Sequence, residues 1–142
     1  MNLFAELPGT MVLVHPELSN SPAGGPGRIG VVTDIDRDGG NAYVGFGKSG
    51  QHLFGFDALL VLKPAAEIQQ ALKEHASRLS IQDHTSLFRM ALLQECSPFS
   101  VNTRTALSLA AVSEPVRELG TRSVEEAIGI RQEQILDQWA AR

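Results

Sequence analysis

A change in hydrophobic periodicity at Lys63-Pro64 constrains this chain more than any other feature of its sequence. From Thr10 to Leu62, short runs rich in Val, Ile and Phe are separated by Gly, Asp, Asn and Ser, which is typical of β-strands joined by turns. Downstream, apolar residues recur three or four positions apart, as they do along one face of an α-helix. The sequence therefore predicts an α+β chain in which all the strands precede all the helices.

Five strands are predicted upstream of Pro64. The first, Met11 to Val14, is apolar at four consecutive positions, so we expect both of its faces to be covered, one by the interior of the β-structure and one by the later helices. Alternation places four residues of the second strand on one inward face: Ile29, Val31, Thr33 and Ile35. On the third and fourth strands, alternation predicts a second set of inward-facing residues: Ala42, Val44, Phe46, His52, Phe54 and Phe56. Asp57 is expected to cap one helical turn before the last strand, Leu60 to Leu62.

This pattern of five strands, with a long first loop and a short helical turn before the final strand, resembles a Src-homology-3-like small β-barrel. The stretches GTMVLVHP and GRIGVVTDI are similar to transcription-elongation and ribosome-associated versions of that barrel. The resemblance covers residues 10 to 62 and rests on the pattern rather than on a diagnostic motif. The loop Pro16 to Gly27 is either functional or mobile. Because small barrels host many unrelated functions, the resemblance implies a fold without a function.

About four helices are predicted downstream, which gives a barrel over residues 1–63 and a helical domain over residues 64–142 that packs on itself and on the barrel. The first helix has Pro64 in its first turn and carries one apolar stripe: Ala65, Ile68, Leu72, Ala76 and Leu79. Asp83 is expected to cap the second helix. The apolar residues of that helix spread so far round its surface that we expect it to be well buried.

Capping signals divide the remainder of the helical part. A third helix is predicted from Asn102 to Val112, and Pro115 allows only a new start near Ser113. Gly120 is expected to be a C-cap. Ser123 and Glu126 have the spacing of a capping box at the start of a last helix that runs to about Ala140.

Charge and composition argue against several classes of protein. Residues 1–63 carry 4 Lys/Arg against 6 Asp/Glu and residues 64–142 carry 8 against 10, so neither part has the basic character of a nucleic-acid binder. Cys96 is the only cysteine, which excludes an intrachain disulfide and favours a cytoplasmic location. No run approaches the ~18 apolar residues of a membrane span.

The chemical motifs in the sequence are incomplete. Asp34 to Gly39 begins like a calcium-binding loop, but the position that should hold a bidentate Glu is Gly45. The four histidines are scattered, with no pair four residues apart that would share a metal on one helix face. We therefore predict no catalytic residue, no metal and no cofactor.

Partner contacts are predicted at two places. Tyr43 lies between inward-facing residues of the third strand, so its side chain should point outward and is available to a partner. The apolar stripe of the first helix could join a second copy of the chain, and its candidate contacts are Ile68, Leu72 and Leu79.

Three functional hypotheses follow from the sequence. The favoured one is a non-enzymatic protein-interaction or structural module that binds itself or a protein partner. The second is a transcription- or translation-associated accessory factor, because a small barrel followed by helices resembles the CarD-type regulators, whose barrel contacts RNA polymerase and whose helical part contacts DNA. The third is an enzyme with a site at the barrel–helix junction, which would have to use an isolated polar group such as His52 or Asp57.

Overall fold

A computed structural model of the chain describes residues 7–17, 27–47, 50–96 and 100–129. The strands in this part are β1 (Met11–Val14), β2 (Ile29–Asp36), β3 (Asn41–Gly45), β4 (Gln51–Gly55), β5 (Leu59–Leu62) and β6 (Thr121–Ser123). The helices are α1 (Ala65–His75), α2 (Ile81–Cys96), α3 (Ser100–Ala111) and α4 (Glu114–Gly120), with a 3-10 turn at Phe56–Ala58. Residues 124–129 are also helical. The α+β class is confirmed, whereas most of the loop after Pro16 and the end of the last helix lie outside the described residues.

The strands form one antiparallel sheet in the order β4-β3-β2-β1-β5-β6. Strands β4 and β6 are its two edges and do not pair with each other in the described part of the chain, so the sheet is not closed and a five-stranded barrel is not confirmed. The sixth strand contradicts the expectation that only helices follow Pro64. Thr121 pairs with Leu62 and Ser123 with Leu60, because this short segment satisfies the free edge of β5.

The two faces of the central strands belong to two different hydrophobic clusters. Val12 and Val14 of β1 pack on one side with residues of β2, β3, β4 and β5, whereas Leu13 packs on the other side with helical residues. Strand β5 repeats this arrangement, with Leu59 in the first cluster and Leu60 in the second. The prediction that β1 is covered on both faces is therefore confirmed.

Strand β2 contains a bulge that the sequence pattern did not predict. The register shifts between Val32 and Asp34, so Val32 opposes Val44 and Ile35 opposes Ala42. One extra residue, Thr33, moves the rest of the strand to the other face. The prediction that Ile29, Val31, Thr33 and Ile35 share an inward face is therefore wrong: Val32 is buried and Thr33 is exposed.

The helix ends agree with the predictions in part. Helix α4 begins after Ser113 with Pro115 in its first turn, and the Ser123 hydroxyl accepts the Glu126 N–H at 3.0 Å, both as expected. Ser80 rather than Asp83 caps α2, since the Asp83 N–H donates to the Ser80 hydroxyl at 3.0 Å. Gly120 is the last residue of α4 and does not adopt a positive φ, so it is not a left-handed C-cap.

Candidate functional site

The outer side of α2 is a row of exposed apolar side chains. Ile81, Phe88 and Leu92 are 88%, 55% and 44% exposed, and their spacings of seven and four residues align them along one face of the helix. The opposite side of α2 is buried, with Leu87 and Met90 fully covered by the rest of the protein. The expectation of a well-buried helix is therefore wrong for the outer side.

Two further exposed apolar residues lie at the two ends of α3. Val101 in its first turn is 65% exposed and Val112, directly after its end, is 84% exposed. The Ser113 hydroxyl donates to Asp83 at 2.8 Å, which holds the end of α3 beside the first turn of α2. Of the six exposed large apolar residues in the described part of the chain, five lie on α2, on α3 or directly after α3, and we call this set the α2–α3 face: Ile81, Phe88, Leu92, Val101 and Val112.

The apolar stripe of α1, which the sequence offers to a partner, packs inside the protein. Ile68 and Leu72 are buried in the helical cluster together with Leu13 and Met90. Leu79 is partly buried and packs against the same cluster. This internal packing accounts for the stripe, and partner binding by these three residues stays a prediction.

Tyr43 lies on the face of the sheet opposite to the buried Ala42 and Val44, as its position in the alternation predicts. It is half-buried and stands directly opposite Leu53 of β4, which is 41% exposed. Tyr43 and Leu53 therefore form an apolar pair on the outer face of the sheet. Leu53 is not among the partner contacts predicted from the sequence, although its position between the inward-facing His52 and Phe54 assigns it to the outer face.

A polar cavity of about 360 Å³ lies at the junction of the sheet and the helical part. Its lining contains ionisable side chains from both parts: His15, Glu17, Asp57, Glu114, Arg117, Glu118, Arg122 and Glu126. Asp57 is thus at the junction, as the enzyme hypothesis requires, whereas His52 lies beside Phe46, with ring centroids 6.4 Å apart. The two parts of the chain do bring titratable groups together here.

The contacts of the two arginines in this cavity are structural. The buried Arg117 donates to the Ala110 carbonyl at 3.3 Å and lies 3.9 Å from the exposed Glu17 carboxylate. Arg122 forms an ion pair with Glu67 of α1, which ties β6 to the first helix. Its Nε atom is buried with no hydrogen-bond partner among the described residues.

The cavity does not assemble an acid–base pair from its histidine. The His15 Nδ1 atom accepts the backbone N–H of Glu17 at 3.1 Å, and no contact links this ring to a carboxylate in the part of the chain that the structure describes. Nor do the described residues include a group of three His, Cys, Asp or Glu side chains placed to hold a metal ion. Among the described residues, His15 therefore has no carboxylate partner of the kind that a histidine acid–base pair uses.

Comparison of the chain with protein-family models, with curated proteins and with solved structures found no match. None of the described helices has the length and hydrophobicity to cross a membrane.

Proposed function

We propose that this chain is a non-catalytic protein-interaction module that binds a protein partner, or a second copy of itself, through the α2–α3 face. The observation that carries the proposal is that α2 is apolar on both sides. Leu87 and Met90 account for its packing inside the protein, and Phe88 and Leu92 are left in water. Fully burying such a side chain contributes roughly 1.5–3 kcal/mol, and because each is already about half covered, roughly 1 kcal/mol per side chain is left for a partner that buries this face.

The composition of the face supports a protein as the partner. Aromatic and large aliphatic side chains form the centres of protein interfaces, surrounded by polar residues. Phe88 lies near the middle of α2, and the helix surface beside it carries exposed polar residues such as His84 and Arg89. This arrangement of an apolar centre with a polar rim fits a reversible interface.

A charge placed at the centre of the face tests the proposal. The Phe88→Glu variant should lose a specific partner, because binding would require a carboxylate to be buried without a counter-ion. Gln82→Glu is the matched control, since it adds the same charge at an exposed site on the same helix. Tagged versions of the wild-type chain and both variants are purified from the native cell, and the co-purifying proteins are identified by mass spectrometry.

We expect wild type and Gln82→Glu to retain the same partner and Phe88→Glu to lose it or to retain at least tenfold less. Sedimentation of the purified chain shows whether the partner is a second copy. Identical sets of proteins with Phe88→Glu and wild type, together with an unchanged sedimentation profile, would contradict the proposal.

A transcription- or translation-associated accessory role and an enzyme at the junction remain alternatives. The support for the first is the order of a small β-structure followed by helices, which resembles CarD-type regulators. Its distinguishing measurements are capture of RNA polymerase and salt-dependent binding to DNA. The support for the second is the cavity that contains Asp57 and His15, and turnover of a substrate by the purified chain would establish it.

A further inference from the structure

The hydrogen bonds at the ends of the β3–β4 hairpin show which backbone groups of β4 face away from β3. The Phe46 N–H donates to the Gly50 carbonyl at 3.0 Å, and the Phe56 N–H donates to the Gly40 carbonyl at 2.9 Å. Both pairs continue the register in which Tyr43 opposes Leu53. Hydrogen-bonded and non-hydrogen-bonded residue pairs alternate along an antiparallel ladder. The backbone groups of the even-numbered residues of β4 therefore hydrogen-bond to β3, and those of the odd-numbered residues do not.

Three residues of β4 therefore direct their backbone N–H and C=O groups to the free edge of the sheet: Gln51, Leu53 and Gly55. Strand β4 is the outermost strand, and no described strand pairs with this edge. The side chains of Gln51 and Leu53 are exposed, so the described residues leave the outer face of this strand accessible. Tyr43 and Leu53 form a non-hydrogen-bonded pair, in which opposing side chains are closest, so they also lie close together on the outer face.

This edge lacks the features that usually prevent strands from pairing. Edge strands are commonly protected by charged side chains, by Pro or by being very short. The sequence of β4, QHLFG, contains neither Pro nor a Lys, Arg, Asp or Glu residue. The opposite edge differs, since β6 is three residues long and includes Arg122 in an ion pair with Glu67.

We propose that β4 pairs antiparallel with β4 of a second copy about a twofold axis at Leu53. In this register Leu53 opposes Leu53 of the other copy and Gln51 opposes Gly55. The three residues whose backbone groups point to the free edge therefore all form hydrogen-bonded pairs. The absence of charged residues in β4 means that no like charges meet across the axis. The Tyr43–Leu53 pairs of the two copies join into one four-residue apolar patch. This names a second copy as one partner of the proposed interaction module, at a surface separate from the α2–α3 face.

A single five-residue strand buries little surface, so the dimer should be weak, with a dissociation constant between ~1 µM and ~1 mM. The test is sedimentation equilibrium of the full chain over that concentration range, for wild type, Leu53→Lys and Gln70→Lys. Leu53→Lys places two ammonium groups opposite each other at the axis, and we expect at least tenfold weaker association. Gln70→Lys adds the same charge on the exposed side of α1 and should associate like wild type.

Crosslinking gives a second measurement that does not depend on how Leu53→Lys folds. In a Cys96→Ser background, a short bis-maleimide should crosslink Leu53→Cys between two copies, because the Cβ atoms of directly opposed residues lie about 5 Å apart and each thiol adds to one maleimide. Gln70→Cys should not. A wild-type chain that is monomeric up to ~1 mM, or a dimer that Leu53→Lys leaves unchanged, overturns the proposal. A dimer lost in Phe88→Glu and kept in Leu53→Lys would overturn it while leaving the proposed function intact.

Discussion

Gly30 in the middle of β2 is required by close packing rather than by a turn. A Cβ at this position would lie 2.6 Å from Cγ1 of Val44 and 2.7 Å from the carbonyl oxygen of Gly45. The second contact is with backbone, which cannot move away without disturbing the sheet. Nothing in the local sequence distinguishes Gly30 from the turn glycines, because the approach of β3 to β2 is a property of the folded sheet.

Gly30→Ala should therefore lower the free energy of unfolding by ~1–3 kcal/mol, which is the usual cost of forcing a methyl group into a packed site. Gly129→Ala is the control with the opposite sign, since Gly129 is helical and a Cβ there meets no atom of the described residues within 4 Å. Helix propensity predicts a gain of roughly 0.5–1 kcal/mol for that change. Urea denaturation of both variants measures the two effects, and a neutral Gly30→Ala would contradict the packing argument.

The sequence predicts the correct face of the sheet for a side chain where the two-residue alternation along its strand is unbroken. Val44 and Tyr43 lie on opposite faces of β3 as predicted. The assignment of β2 fails because Thr33 adds one residue to one strand, and a two-residue period cannot reveal such an insertion. For the same reason Leu53 was predictable as outward-facing, whereas the free edge of β4 requires the strand order of the whole sheet.

At the scale of single elements, the start of α2 shows how two neighbouring polar residues divide their roles. The Ser80 hydroxyl accepts the Asp83 N–H and caps the helix, and the Asp83 carboxylate accepts a hydrogen bond from Ser113. Both residue types cap helices, so sequence alone leaves the choice between them open. The position of Ser113 at the start of α4 is what fixes the role of Asp83.

Ser80→Ala should lower the free energy of unfolding by about 1 kcal/mol, because the first turn of α2 loses a partner for a backbone N–H. Ser77→Ala is the matched control, since Ser77 is an exposed residue in the turn that follows α1. Thermal and urea denaturation of both variants checks this prediction. Equal stability of the two variants would show that the Ser80 hydroxyl contributes nothing to α2.

The α2–α3 face is the part of the candidate site that could not be predicted from the sequence. The sequence shows that α2 has apolar residues around most of its surface, and this pattern alone indicates burial. Which side is covered depends on where α1, α3 and the sheet lie. Those elements cover Leu87 and Met90 and leave Phe88 and Leu92 exposed. The exposed row therefore follows from tertiary structure and not from the spacing of apolar residues.

At the scale of the whole molecule, the sheet and the helices share their hydrophobic surfaces. Leu13 and Leu60 project from the sheet into the helical cluster, and Val124, from the helical part, completes the cluster on the other side of the sheet. Strand β6 also pairs with β5. The division at Pro64 correctly separates strand-rich from helix-rich sequence, but it missed β6, whose three residues are too few to show a period.

A fragment of residues 1–63 should therefore not fold by itself, because one face of β1 and β5 would expose leucines that the helices cover in the full chain. The expected result is a poorly dispersed amide spectrum by NMR for the fragment and one cooperative unfolding transition for the full chain. A fragment with a dispersed spectrum and its own unfolding transition would instead support an independent barrel at residues 1–63.

The pairing of β5 with β6 has a consequence for how the helical part can vary. Leu62 opposes Thr121, and the Lys63 N–H donates to the Gly120 carbonyl at 2.9 Å, so the helical segment leaves the sheet and returns to it at one point. The helical segment is thus an insertion between the two strands of a β-hairpin. Lengthening a connection whose ends already meet adds little closure entropy, so the length of this segment is limited by how its helices pack on Leu13 and Leu60 and not by the register of the strands.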